Sequence, residues 1–328
     1  MTPFAFHIAN DRAEALALAA DGARFVGGGT NLVDLLRQNV DSASQLVDVS
    51  RLTSDIQEAD GGALLIGASM KNSALAAQPL IRERYPMLSR ALLAGASAQI
   101  RNMATVGGNI MQRTRCAYFY DVDGARCNKR QPGGGCDAIG GFNRYHAILG
   151  ASNNCVATHP SDMCVALAAL SAVVHLAGPA GERTVPLAEF HALPGASPQI
   201  ESVLQPGEMI TAVELPPATP AMVNSEYRKL RDRSSYAFAL VSVAAGLDVV
   251  EGKVAEVRIA LGGVAAKPWR ATHAEAALRG LPATRANFLS AAEEELAEAR
   301  PLEGNAFKIG LAQRTIAAVL ESLAGDPA

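Results

Sequence analysis

A chain of 328 residues, 49% of them apolar and 19% charged, is long enough for two domains and a large core. Its net charge of −3 excludes the basic bias with which proteins meet nucleic acid or anionic membrane surfaces. No apolar run approaches the roughly 20 residues that span a bilayer, and an odd count of five cysteines argues against a disulfide framework and for metal or redox chemistry.

Residues 1–23 carry no basic region ahead of their apolar residues; the apolar spacing is that of an amphipathic helix, and no signal peptide is expected. ARFVGGGTNLVDLLRQ (23–38) reads as a short strand, a glycine turn and a helix. QLVDVS (45–50) and ALLIGAS (63–69) are strand-like apolar runs. KNSALAAQPLIRERYPMLSRALLAGAS (71–97) has helical period, divided by Pro79 and Pro86. From 113 to 162 no helical or strand pattern is sustained. MCVALAALSAVVHLAGPAGERTVPLAEF (163–190) runs from an apolar helix into two strands joined by a Gly-Pro turn. GEMITAVELPPATP (207–220) is a strand leading into a proline-rich link. A domain boundary is expected there, near Pro217–Val223, dividing the chain into 1–220 and 221–328. The second part alternates strands over 238–264 with helices at 286–299 and 307–324, so the fold class is α+β.

Two glycine motifs stand out. GGGTNLVD (27–34) follows a strand and opens a helix, where successive backbone N–H groups form an anion nest. Its spacing is not the G-x-G-x-x-G of the usual dinucleotide fingerprint. ATVGGNI (104–110) repeats the pattern of paired glycines beside hydroxyl and amide groups. Either alone can be a structural turn; together they suggest two lips of one diphosphate cleft.

Four cysteines, Cys116, Cys127, Cys136 and Cys155, crowd an inserted stretch at about 112–158 with the spacing C-x10-C-x8-C-x18-C. Structural zinc sites usually contain a tight knuckle of two cysteines, absent here. Wide gaps suit a cubane cluster, and a cluster would order so long a loop. Arg113, Arg115, Arg126, Lys129, Arg130 and Arg144 outnumber the acids of the stretch and would offset cluster charge. Isolated buried thiols and a zinc site remain alternatives. Cys164 lies in an apolar helix and reads as core, and His146 and His159 read as structural residues outside the ligand set. Ser161 and Asp162 stand where a helix N-cap belongs.

GGGTNLVD, RNMATVGGNI (101–110), HPSD (159–162) and YRKLRDRSSYAFALVSVAA (227–245), in this order, resemble the FAD-binding subunits of the xanthine dehydrogenase family of molybdenum hydroxylases over nearly the whole chain. The cysteine stretch is similar to that of the flavin subunits of bacterial aldehyde oxidoreductases and, more distantly, of 4-hydroxybenzoyl-CoA reductases, where it holds a 4Fe-4S cluster. The resemblance implies a PCMH-like FAD-binding domain of two subdomains with the cofactor between them. A smaller domain with a three-stranded antiparallel sheet and a helical bundle would follow. It further implies that Gly27, Gly28, Gly29, Thr30, Asn31, Leu32, Val33 and Asp34 wrap the FAD pyrophosphate, and that Thr105, Gly108, Asn109 and Met111 line the second lip. Ser161 and Asp162 would hydrogen-bond the cofactor. Met209 or Ile210 would pack on its rings, Lys229 would lie near the flavin's polar edge, and Ala96 would be a small neighbour.

The implied partners are a large subunit with the molybdenum cofactor, a small 2Fe-2S subunit and an external electron acceptor. No acid, base or nucleophile constellation is apparent in the chain, so substrate oxidation is expected on a partner. The rivals are a self-contained flavin oxidoreductase, which needs a substrate pocket and usually a larger cap domain, and a zinc-stabilised assembly protein. The expected location is the cytoplasm, or the periplasm by export on a partner's signal.

Overall fold

Three sheets organise residues 1–325, which the computed structural model describes. The first is parallel, in the order β1-β3-β2: β1 (Ala5–Ile8), β2 (Arg24–Val26) and β3 (Gln45–Asp48). Helices α1 (Arg12–Ala20) and α2 (Leu32–Arg37) connect its strands. Here the sequence expectation fails at its start. Residues 5–8 form an edge strand paired with β3, and the helix begins only after Asp11, whose side chain caps the N–H of Glu14. Phe6 is 53% exposed, so the apolar spacing that suggested a helical face belongs to a strand whose partner lies 40 residues on.

The second sheet is antiparallel, in the order β4-β5-β8-β6-β7, from β4 (Ile56–Glu58), β5 (Leu64–Gly67), β6 (Val173–Gly178), β7 (Gly181–Pro186) and β8 (Met209–Leu215). The helical run at 71–97 is three helices: α3 (Asn72–Ala77), α4 (Pro79–Arg84) and α5 (Pro86–Ala94). Each proline takes a first helical position, where its missing N–H breaks no bond. Two short helices follow, α6 (Ala98–Met103) and α7 (Val106–Ile110), then α8 (Ala117–Tyr120) inside the cysteine stretch. α9 (Asp162–Ala169) is buried on every side and packs in one core with Leu64, Ile66, Val174, Val213 and Leu88. Cys164 is fully buried in that core.

After α10 (Leu187–Phe190) and α11 (Pro220–Val223) comes the third sheet, antiparallel, in the order β12-β11-β10-β9. β10 (Val241–Val250) and β11 (Lys253–Gly262) fall within the expected 238–264, β9 (Ser225–Leu230) stands ahead of that range as the third strand that the resemblance implied, and β12 (Trp269–Arg270) adds two residues at the edge. α12 (Thr272–Leu278), α13 (Arg285–Glu295) and α14 (Phe307–Ala324) cover it, burying Val243, Leu247, Ile259, Phe288, Ile316 and Leu320. Tyr227, Ala244 and Ala260 join the core around α9, which ties this sheet to the second.

The cysteine stretch has little secondary structure beyond α8 and the bridges Cys127–Cys136 and Ser152–Cys155, yet it is anchored. Ile148 and Leu149 both donate their N–H to the Val264 carbonyl, at 2.8 and 3.0 Å. Asn305 Nδ2 donates to the carbonyls of His146 (3.1 Å) and Ala147 (3.2 Å). Lys308, completely buried at the start of α14, donates to His146 O at 2.9 Å and Gly263 O at 2.8 Å.

Burial lowers the Lys308 ammonium from 10.5 to about 7, and the Arg144 charge adds to the effect. Between those pH values the unfolded chain holds a proton that the folded chain has released. This residue therefore makes folded stability rise with pH across that window, by at most about 1.4 kcal/mol per pH unit. Urea midpoints of the native protein between pH 7.5 and 9.5 should climb relative to those of Lys308→Met, which lacks the group. Parallel midpoints would show that Lys308 keeps its proton throughout.

Candidate functional site

β2 ends at Val26, and the chain turns through Gly27–Thr30 into α2. On the facing side Ser97 caps α6, and Thr105 caps α7 by accepting from the Gly108 N–H at 3.2 Å. The two loops touch. A Cβ on Gly28 would sit 1.9 Å from the Met103 carbonyl oxygen, and one on Gly27 would sit 2.4 Å from Thr105 Oγ1. These glycines therefore first make room for the second lip, before any question of a phosphate. Between the lips lies a cleft of about 620 Å³, within the range of cofactor sites.

Gly27, Gly28, Gly29, Thr30, Asn31 and Leu32 line it, as do Thr105, Gly108, Met111, Met209 and Ile210. Asn31 Oδ1 accepts from the Arg113 N–H at 2.9 Å, while its Nδ2 is buried with no hydrogen-bond partner. A buried donor left unspent in a glycine-lipped cleft fits an anionic ligand such as the FAD diphosphate.

The other sequence-predicted residues stand outside the cleft wall. Val33 and Asp34 turn away along α2, and Asp34 Oδ2 pairs with Arg115 at 3.1 Å. Asn109 Oδ1 accepts from Ser161 Oγ at 2.6 Å, and Ser161 Oγ accepts from the Cys164 N–H at 3.0 Å as the cap of α9. The Ser161 hydroxyl proton is thus spent within the protein. Asp162 Oδ2 meets Lys229 Nζ at 2.8 Å, and its other oxygen accepts from the Tyr227 hydroxyl. The two charged side chains are 9% and 5% exposed, so this is a buried ion pair. Burial, then the Asp162 charge, raise the Tyr227 phenol well above 10, so it stays a neutral donor. Lys229 also donates to Ala94 O at 3.2 Å, beside the exposed Ala96 with its φ of 50°.

The cleft also gathers charged residues that carry no motif. Glu201 Oε1 accepts from Arg113 Nε (3.0 Å) and Nη2 (2.8 Å) and lies 3.2 Å from Lys129 Nζ. Arg113 reaches Asp41 at 3.3 Å, and Arg24 holds the same carboxylate at 2.7 Å. Burial opposes ionisation of Asp41, but the arginine beside it prevails and keeps its carboxyl below 3.8.

Cys116, Cys127, Cys136 and Cys155 converge on one small cavity, walled also by Tyr118, Phe119, Ala138 and Ala157. Cys164 is not part of it. Among the described residues no three of these four sulfurs lie within 4.8 Å of one another. Tetrahedral zinc with bonds of about 2.3 Å would draw its sulfurs to about 3.8 Å. Four thiols lining one cavity offer a ligand set to a single ion or to a cluster. Burial pushes the Cys116 thiol up to about 12 and raises Cys136 and Cys155, so thiolates here call for bound metal. His146 Nε2 lies 3.1 Å from Cys116 Sγ. Burial, then the Lys308 charge, push this imidazole down to about 4.

His159, His191 and Cys164 also bring one donor atom each within 4.8 Å. The hydrogen bonds argue against an ion among them. The Ser161 N–H faces His159 Nδ1 at 3.4 Å, which leaves the ring proton on Nε2 and no lone pair there. His191 Nε2 donates to Ile110 O at 2.9 Å, which leaves its Nδ1 as the one ring lone pair at this spot, too few for an ion. Burial lowers His159 well below 6.5 and His191 to about 4, so both rings are neutral, with centroids 4.3 Å apart.

Residues 2–218 match the family of FAD-binding domains in molybdopterin dehydrogenases, and residues 214–322 match the CO dehydrogenase flavoprotein C-terminal domain. The chain is 50% identical over 326 residues to the aldehyde oxidoreductase FAD-binding subunit PaoB of Escherichia coli, covering 98% of each. It is 26% identical to the putative xanthine dehydrogenase FAD-binding subunit XdhB of the same organism, covering 90% of this chain and 86% of that one. Among solved structures, a carbon monoxide dehydrogenase from Hydrogenophaga pseudoflava aligns with a TM-score of 0.74 at 25% identity, over 98% of this chain and 97% of the other.

Proposed function

Since the chain belongs to the FAD-binding subunits of the xanthine dehydrogenase (molybdenum hydroxylase) family and serves electron transfer in such a complex, we propose that it is the FAD- and 4Fe-4S-carrying subunit of a heterotrimeric, molybdenum-dependent aldehyde oxidoreductase. The observation that carries the cluster is the convergence of four cysteines on one cavity. The aldehyde assignment rests on the identity with PaoB, whose name states that activity.

In this reading Gly27–Leu32 and Thr105–Met111 hold the FAD diphosphate between two rows of backbone N–H groups, with Asn31 Nδ2 as a further donor. Met209 and Ile210 pack on the ring system. Asp162, fixed by Tyr227 and Lys229, sets a carboxylate and an ammonium at the junction of the second and third sheets. Cys116, Cys127, Cys136 and Cys155 hold the 4Fe-4S cluster. Bound FAD supplies a group that takes up single electrons and releases a pair. Residues 1–220 form the cofactor domain and 221–328, of which 326–328 lie outside the described residues, the C-terminal domain. A molybdenum subunit and a 2Fe-2S subunit deliver the electrons, and an external acceptor removes them. No helix of the described residues is long and apolar enough to cross a membrane, and the complex works in the cytoplasm, or in the periplasm after export on a partner's signal.

The test compares the chain alone with the assembled complex. The isolated chain should contain FAD and iron yet fail to oxidise an aldehyde, while the complex turns over. Turnover by the isolated chain would favour a self-contained flavin enzyme, and zinc in place of iron would remove the cluster.

A further inference from the structure

The cysteine cavity and the cofactor cleft share a wall. Thr114, Lys129 and Ala157 line both, so a single layer of side chains separates them. Two of the three are uncharged and hydrogen-bond toward the sulfur side. Thr114 Oγ1 accepts from the Cys116 N–H at 3.3 Å, and the Ala157 N–H donates to Cys155 Sγ at 3.5 Å. Lys129 is the charged member. Its side chain is 8% exposed, and its Nζ is held by Pro198 O at 2.8 Å and by Glu201 at 3.2 Å.

The ion-pair network around it is short of negative charge. Arg24, Arg113 and Lys129 share two carboxylates, Asp41 and Glu201, and Arg113 claims Glu201 through two nitrogens. One positive charge is left over at the wall. Arg126, also beside the cysteines, has its charge answered by Asp137 at 2.7 Å and lies largely in solvent. We propose that Lys129 is an electrostatic coupling residue, a buried ammonium placed between the two sites that favours reduction of the cluster on one side and retention of the FAD diphosphate on the other. The inference rests on the cluster reading above. A cluster gains negative charge on reduction and a diphosphate is an anion, so one partly unanswered cation attracts both, with little screening at this depth.

The experiment is a redox titration of the holoprotein with dithionite and ferricyanide, the cluster followed by electron paramagnetic resonance, with FAD dissociation measured by the fluorescence it regains on release. Lys129→Met removes the charge while keeping most of the length. At the native midpoint potential it should shift the oxidised-to-reduced ratio about tenfold toward oxidised, equivalent to 59 mV for one electron, and it should weaken FAD retention several-fold. Glu201→Gln uncovers the ammonium and should shift the ratio the opposite way. Lys129→Arg should restore both properties, which a packing role alone would not predict. Iron missing from the native holoprotein overturns the cluster reading and this inference with it. Iron present throughout, with midpoints unmoved in Lys129→Met and Glu201→Gln, overturns the inference alone. Unchanged FAD release from Lys129→Met overturns the coupling. Should Lys129→Met lose its iron, Glu201→Gln decides: an upward shift supports the proposal and none overturns it.

Discussion

Gly28→Val should emerge from purification without FAD and with a lowered melting temperature. A Cβ at this position would meet three backbone atoms: the Met103 carbonyl oxygen at 1.9 Å, its carbon at 2.5 Å and Ala104 Cα at 3.0 Å. Backbone cannot swing aside as a flexible side chain can, so the two lips must part. Forcing methyl groups into a closed contact costs about 1–3 kcal/mol, and here that strain falls on the loops that define the cleft. Because the clash begins at Cβ, Gly28→Ala should already show most of the loss. Gly140→Ala is the control, since a Cβ there meets nothing within 4 Å. Flavin absorbance per chain and thermal melting are the measurements. A full complement of flavin in Gly28→Val would mean that the cofactor lies outside the contact between these lips.

How far the sequence could be read depended on the range of each constraint. The glycine lips were legible because a nest followed by a helix is local chemistry, contained in eight residues. That their glycines accommodate each other was not, because Gly28 and Met103 meet only once the chain has folded. The prolines at 79 and 86 announced three helices in place of one, since proline acts on its own turn. β1 was lost to a helical reading because its sole described partner strand, β3, lies far along the chain. Lys229, which by itself resembles a solvated strand residue, is buried by a carboxylate 67 positions away. Asp41 and Glu201, which organise the cations of the cleft, belong to no pattern at all. The cysteines lie between these extremes. Their number and wide spacing argued for a large shared group, but the gaps alone could not say that the chain brings all four to one cavity, whereas Cys164 was legible as core from the apolar helix around it.

Serine in place of Cys116, Cys127, Cys136 or Cys155 should remove the iron signal, while Cys164→Ser keeps it. A hydroxyl is too weak an acid to replace a thiolate on iron, and each of the four sulfurs faces the same cavity. Cys164 is fully buried among the apolar residues of α9, so a hydroxyl there costs about 1–3 kcal/mol of stability and leaves the cavity intact. The four substitutions should also loosen the stretch unevenly. Its second half is pinned by Val264, Asn305 and Lys308 whatever the cavity holds, whereas in the Cys127–Cys136 turn Asn128 and Lys129 are anchored on Asn154 O and Pro198 O and the stretch beyond them, through Gly133–Gly135, is held by local hydrogen bonds. Limited proteolysis of the serine variants should therefore cut first near Gly133–Gly135 and spare residues 146–149. Iron and sulfide analysis, set beside the cleavage map, reads both effects. Cleavage starting at 146–149 would mean that the cluster, and not the C-terminal domain, holds that half in place. Loss of iron from Cys164→Ser alone would move the ligand set toward α9 and unseat Cys116, Cys127, Cys136 and Cys155 as its four members.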